Sequence, residues 1–281
     1  MKTLVILAMM TNFLTAGCNK AAVIGTPAKT LTNVVYGNDP KQVYDIYLPA
    51  NRSTATTPVM FLFHGGSWSG GDKRDFYFYI DSLKTYLPEY AFVNVNYRLA
   101  NYTENKFPAQ ENDIKAAVND VMNRMDEYDI SDQIVFLGAS AGGHLALLQA
   151  YKHPEPVRAK AVISFFGPTD MTDMYTNPAN SQIPMWLNVL LGGNPTANKA
   201  LYEQSSPVNY VTSDAPPTLL LQGGLDPLVS KRQPELLKAA LDSKGVENEL
   251  IIYQNEGHGW IGPSLTDSFQ KIAAFVTSHV P

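Results

Sequence analysis

The chain has 281 residues, 45% of them hydrophobic, a length and composition that can bury one large core. Its formal net charge is -5 with no long basic run, which argues against nucleic acid as a partner. No zinc-type spacing of Cys and His is present, nor a glycine-rich phosphate loop followed by Lys-Ser/Thr, so no metal or organic cofactor is expected.

Met1 and Lys2 precede the apolar stretch Leu4 to Met10, which is too short to span a bilayer and reads as part of a signal peptide over residues 1–18. The only cysteine, Cys18, ends the run Leu14-Thr15-Ala16-Gly17-Cys18. Residues 19–32 are rich in Ala, Thr, Gly and Pro without periodicity and read as a tether to a folded domain over 33–281. Val43, Asp45 and Tyr47 alternate with Tyr44, Ile46 and Leu48, a strand pattern near an antiparallel edge. Asp72-Lys73-Arg74-Asp75 reads as a solvated turn. Apolar strand candidates recur at 58–63, 91–97, 134–138, 160–166, 217–222 and 248–253. Between them, Ile114, Val118, Val121, Met122 and Met125 share one helical face, and Leu236, Leu237, Ala240 and Leu241 another, closed by Gly245. Such alternation implies an α/β domain with a mostly parallel sheet covered on both faces. Residues 169–213 exceed an ordinary connection and carry Trp186, Leu187, Leu190 and Leu191, enough apolar mass for a small cap.

Chemistry concentrates where these strands end. Gly138-Ala139-Ser140-Ala141-Gly142 lies between an apolar run and a helical one, the context of a nucleophile elbow, in which a strained turn exposes the serine hydroxyl. Asp226 follows the strand Thr218 to Gln222 and its glycine turn, and His258 follows the strand Glu249 to Tyr253. In that order, His258 would take the Ser140 proton and Asp226 would orient the imidazole and stabilise its cation. His64-Gly65-Gly66-Ser67-Trp68 follows another buried strand, and its N–H groups could meet an oxyanion. Gly66 and Ser67 are assigned as loop donors, with Gly65 a close rival, and Ala141 as the donor next to the nucleophile. Rival readings exist for each: Ser140 as a helix N-cap, Asp226 as a turn residue before Pro227, Glu256 as the acid. His144 is expected to pack against the sheet and His64 to hold its own loop. Trp68, Trp186, Leu190 and Trp260 are candidates for lining a substrate pocket.

Taken together, His64 to Trp68, Asn96-Tyr97-Arg98-Leu99, Phe107-Pro108-Ala109-Gln110 with Asp113, Gly138 to Ala146, Gly223-Gly224-Leu225-Asp226 with Val229, and His258-Gly259-Trp260 carry a resemblance. From about Lys41 to the C-terminus the chain resembles the esterase and lipase branch of the α/β-hydrolases. That branch includes hormone-sensitive-lipase-like carboxylesterases, kynurenine formamidase, and acetyl-xylan and feruloyl esterase domains. The resemblance implies an eight-stranded, mostly parallel sheet with a small cap. It also implies a cofactor-free serine hydrolase acting on a small-molecule ester with a short acyl group, including carbohydrate-linked acetyl or feruloyl esters. Ser67 replaces the third glycine of the hormone-sensitive-lipase pattern, and Trp68 after it looks more like the formamidase loop, so an amidase or formamidase stays open as the alternative. A non-catalytic binding protein of the same fold is the remaining one. The stretch ending at Cys18 resembles a bacterial lipoprotein box. It implies lipidation of Cys18, a place in the bacterial cell envelope, and membrane contact only through that anchor, with Asn19 favouring the outer membrane; an ordinary signal peptide cut near the same place, leaving a secreted or periplasmic protein, is the alternative. No feature of the sequence fixes an oligomeric state.

Overall fold

The structure is a computed structural model that describes residues 25–280; the signal segment and Cys18 lie outside them. Among the described residues, eight strands form one sheet: β1 (Lys29–Val35), β2 (Val43–Leu48), β3 (Val59–Phe63), β4 (Ala91–Val95), β5 (Ile134–Ala139), β6 (Ala161–Phe165), β7 (Thr218–Gly223) and β8 (Asn248–Tyr253). Their order across the sheet is β1-β2-β4-β3-β5-β6-β7-β8. The first three are antiparallel neighbours, and from β4 onward every pair is parallel.

Nine helices accompany the sheet among the described residues: α1 (Tyr77–Tyr86), α2 (Ala109–Asn123), α3 (Met125–Tyr128), α4 (Ala141–Lys152), α5 (Met171–Thr176), α6 (Ile183–Leu191), α7 (Lys199–Gln204), α8 (Arg232–Ser243) and α9 (Pro263–His279). The central strands are apolar on both sides because both sides are covered. In β3, Val59, Phe61 and Phe63 join the core under α2, α4 and α8, while Met60 and Leu62 join the core under α1 and α9. Burying each such side chain contributes on the order of 1.5–3 kcal/mol.

Three sequence expectations change. The tether assigned to residues 19–32 ends earlier, since Lys29 to Thr32 already belong to β1, which pairs Lys29 with Leu48 and Leu31 with Ile46. As an edge strand β1 buries little, so it lacks the apolar alternation that marks a strand in sequence. The segment read as a solvated turn has Lys73 at its centre, buried and ion-paired at 2.8 Å with the fully buried Asp45 of β2. The helical face drawn through Met125 is interrupted at Arg124, and Met125 starts the separate turn α3. The segment 169–213 does fold over the sheet as α5, α6, α7 and a 3-10 turn at Pro207–Tyr210. Its start is moored to α8 by the Gln233 side chain, which accepts from the Thr169 and Asp170 N–H groups at 2.9 Å and donates to Asp173.

Candidate active site

Strand β5 ends under the centre of the sheet's C-terminal rim and turns directly into α4, with Ser140 at the junction. Ser140 has φ 54° and ψ -120°, a strained conformation for a residue with a side chain. Its hydroxyl makes no capping bond to α4, so the helix-cap reading does not account for it. The turn is tight: a methyl group at Gly142 would collide with the carbonyl of Phe63, so only glycine lets α4 approach β3 here.

The loops after β7 and β8 bring two partners to this hydroxyl. His258 Nε2 lies 2.9 Å from Ser140 Oγ, and His258 Nδ1 lies 2.8 Å from Asp226 Oδ2. With Nδ1–H donating to the carboxylate, Nε2 presents a lone pair to the serine hydroxyl, the arrangement needed to take its proton. The Asp226 carboxylate is fully buried and held from three sides. Its Oδ1 accepts from the N–H groups of Leu228 and Val229 at 2.8 and 2.9 Å, and its Oδ2 from Gln222 Nε2 at 3.1 Å. These contacts stabilise a charged carboxylate without giving it a proton to pass on. Glu256 is turned elsewhere, accepting from Ser264 Oγ at 2.6 Å.

The loop after β3 faces the nucleophile. Gly66, Ser67 and Trp68 all have positive φ, at 111°, 50° and 59°. At Gly66 a side chain would also run into the backbone of Gly70. Among the described residues the N–H groups of Gly66 and Ser67 donate to no backbone carbonyl, and the N–H of Ala141 sits in the unpaired first turn of α4. Three unspent donors around one hydroxyl can receive a negative oxygen. Gly65 packs directly against Ser140. His64 anchors the loop as expected, with Nδ1 at 2.7 Å from the Gly65 carbonyl and its ring stacked on Tyr97 at 4.3 Å. Burial lowers its pKa.

Two cavities meet at Ser140. A narrow inner pocket is walled by Trp68, Met174, Ile183, Trp186, Leu187 and Val229. A wider outer cleft is bordered by Asp75, Phe76, Tyr79, Phe166, Leu228 and His258. Trp68 and Trp186 therefore stand where the sequence put them, and two other candidates do not. Leu190 is in the last turn of α6, one turn beyond Leu187, and is buried in the core away from both cavities. Trp260 is also core: its Nε1 donates to Ser268 Oγ at 2.9 Å and its ring packs on Phe165, Phe166 and Tyr253.

Residues that the sequence did not assign to the site complete it. Phe166 has φ 40° and places its ring centroid 4.5 Å from that of His258, with Trp260 behind it. Its position at the C-terminal end of a predicted strand, where such sheets gather functional groups, was the available signal. Gln222, a polar residue closing the apolar run Leu219 to Leu221, was the other. His144 is fully buried and takes an indole hydrogen bond from Trp68 Nε1 at 3.1 Å. Because Trp Nε1 only donates, Nδ1 of His144 accepts, and Nε2–H donates to the Ser205 carbonyl at 2.6 Å. Burial drives the pKa of His144 down to about 4, which keeps the ring neutral. No cluster of His, Cys, Asp and Glu suited to a metal ion occurs among the described residues.

Known proteins share this framework. The family model BD-FAE matches residues 44–241. The probable carboxylic ester hydrolase LipM of Mycobacterium tuberculosis is 31% identical over 191 residues, covering 64% of this chain and 44% of LipM. The chain spans about half the length of the curated relatives it matches. Among solved structures, a bifunctional GH43-CE protein of Bacteroides eggerthii superposes with a TM-score of 0.78 at 25% identity, covering 90% of this chain and 38% of that one. A truncated carbohydrate esterase from gut microbiota gives 0.76 at 25% identity, covering 91% of this chain and 97% of that one. With the family model running from β2 into α8 and 90–91% of the chain superposing on these structures, the chain belongs to the BD-FAE family of α/β-hydrolase esterases.

Proposed function

We propose that the protein hydrolyses short-acyl carboxylic esters of hydroxyl-bearing alcohols through an acyl-serine intermediate at Ser140. The observation that carries this reading is the unbroken relay from Asp226 through His258 to Ser140, at 2.8 and 2.9 Å. As Ser140 Oγ attacks the ester carbonyl, His258 Nε2 takes the hydroxyl proton and the new oxyanion meets the N–H groups of Gly66, Ser67 and Ala141. The same His258 proton then goes to the departing alcohol, and a water activated at Nε2 releases the acid.

The two cavities divide the substrate. His258 must reach the leaving oxygen, and His258 borders the outer cleft but not the inner pocket. The alcohol therefore belongs in the outer cleft and the acyl group in the inner pocket. An apolar wall of Trp68, Ile183, Trp186 and Leu187 suits a short alkyl chain. Asp75 and Tyr79 offer polar atoms beside the Phe76 and Phe166 rings, which suits a sugar hydroxyl and its ring face. The carbohydrate esterase similar in structure supports that choice of alcohol. The lipoprotein-like box further supports a lipid anchor at Cys18 and a site of action at the bacterial envelope.

A fluorophosphonate probe and a substrate screen test the assignment together. The folded protein should label at Ser140, a heat-unfolded control should not, and Ser140→Ala, His258→Ala and Asp226→Asn should each lower kcat by at least about a thousandfold. Acetyl and butyryl esters, acetylated xylosides included, should be cleaved faster than formamides. Preferential cleavage of an N-formyl substrate would move the protein to the formamidases, and absence of labelling would make it a binding protein.

A further inference from the structure

We infer that His144 is a positioning residue that fixes the oxyanion loop, acting through its hydrogen bond to the Trp68 indole and through that tie coupling the loop to the cap. The inference rests on the esterase reading above and extends it to a residue that touches neither substrate nor reacting atoms.

The argument starts from strain. Three successive residues, Gly66, Ser67 and Trp68, hold positive φ, a run that persists only where its surroundings over-determine it. Backbone bonds secure part of it: Ser69 and Gly70 N–H groups donate to the Gly66 carbonyl, and Ala100 N–H donates to the Trp68 carbonyl at 2.8 Å. The side-chain restraint is His144. Its ring meets the Trp68 indole edge-on, with centroids 5.2 Å apart and planes at 88°, and Nδ1 caps the indole N–H.

The placement of His144 gives this bond its meaning. His144 lies one helical turn after Ser140, and its backbone N–H donates to the Ser140 carbonyl at 3.0 Å. One rigid turn of α4 thus carries both the nucleophile and the group that holds the loop opposite it. Oxyanion donors must stand about 2.7–3.1 Å from the developing charge, and Ser67 is the residue immediately before Trp68. The indole itself walls the inner pocket, so the same bond sets the acyl wall. On its far side the His144 ring donates to the Ser205 carbonyl, just past the end of α7, so any shift of the cap is felt at the indole.

Two near-isosteric substitutions separate the two halves of the tie. In His144→Asn the side-chain oxygen takes the place of Nδ1 and can still accept from Trp68, but nothing reaches Ser205. In His144→Gln the amide nitrogen takes the place of Nε2 and can still donate to Ser205, but the indole loses its acceptor. Each variant gives up one buried hydrogen bond, so a purely structural role predicts similar losses of Tm and no difference in kcat. The positioning role predicts that kcat for p-nitrophenyl acetate falls about tenfold to a hundredfold in His144→Gln, with KM within about threefold, and that His144→Asn recovers most of it. Trp68→Phe removes the same bond from the indole side. It should lower kcat comparably, and combined with His144→Gln it should cost little more than either change alone. Equal kcat in the Asn and Gln variants, or additive losses in the double variant, would overturn the inference. Ester hydrolysis by the unaltered protein is measured first and tests the esterase reading separately.

Discussion

His258 and His144 set the same ring in opposite surroundings. His258 keeps 16% of its side chain in solvent and is held between a carboxylate and a hydroxyl. His144 is sealed in, and its folded-state pKa of about 4 lies below the ordinary 6.5. A histidine depressed in this way stabilises the fold fully above about pH 6.5 and loses that contribution as pH falls toward 4, because the unfolded chain takes up the proton first. Urea unfolding should therefore show a loss of about 2 kcal/mol from this group between pH 7 and pH 5. His64, also lowered by burial, acts in the same direction. The loss should be smaller in His144→Asn, and an identical pH slope in the variant would remove His144 as its source. Glu256 provides the matching control for the acid: Glu256→Gln should leave kcat within about twofold, since its carboxylate serves Ser264. Asp226, His258 and Ser140 were legible in sequence because each closes a strand with a glycine-rich turn. The partners of Asp226 were legible only as a polar Gln222 closing an apolar run and a Val229 that accompanies Asp226 in the resemblance; nothing in their spacing reveals that the loop folds back to turn the Leu228 and Val229 N–H groups onto the carboxylate.

At the scale of elements, the cap helix α6 and the buried pair beneath α1 each carry a measurable consequence. Ile183, Trp186 and Leu187 form the inner-pocket side of α6, and a methylene added to the acyl chain contributes about 0.8 kcal/mol only while apolar surface remains to cover it. Acetyl to butyryl p-nitrophenyl esters should have higher kcat/KM than decanoyl esters, and Trp186→Ala should move the optimum to longer chains. A steady rise out to palmitoyl esters would contradict the pocket geometry. Lys73 donates to Asp45, which also receives the Tyr77 hydroxyl and the Asn33 N–H, so the pair joins β1, β2 and the start of α1. Lys73→Met would strand a buried carboxylate and should cost about 3–5 kcal/mol in urea unfolding, with Asp45→Asn restoring part of it. This pair hid from sequence reading because charged residues on a strand and in a turn ordinarily face water. Likewise Trp260 and Leu190 border neither cavity: proximity of Trp260 to a site loop does not say which way its ring packs, and membership of the cap does not say that Leu190 faces the core while Ile183, Trp186 and Leu187 face the pocket. The central strands were readable for the opposite reason, since burial on both faces leaves an unbroken apolar run.

For the molecule as a whole, the sheet separates two cores, and the site sits at the rim where they meet, its inner pocket walled by the core that includes the cap and its outer cleft bordered by the other. Among the described residues no helix is long and apolar enough to cross a membrane. The proposed attachment rests on Cys18, so Cys18→Ser should shift the protein from the membrane to the soluble fraction of cells, and mass spectrometry of the mature N-terminus should find acyl chains in the unaltered protein. An unmodified cysteine would end that proposal. The early start of β1 would then limit how far a copy anchored at Cys18 could work from the lipid. Eleven residues lead from Cys18 to Lys29, a span of at most about 40 Å in any conformation. Four strand spacings from β1 to β5 add about 20 Å across the sheet. The register sets Lys29 level with Ile134, six residues and about 20 Å along the strands from Ser140, so an anchored copy would keep Ser140 within about 70 Å of the lipid and would deacylate what comes close to that membrane while leaving material farther out untouched.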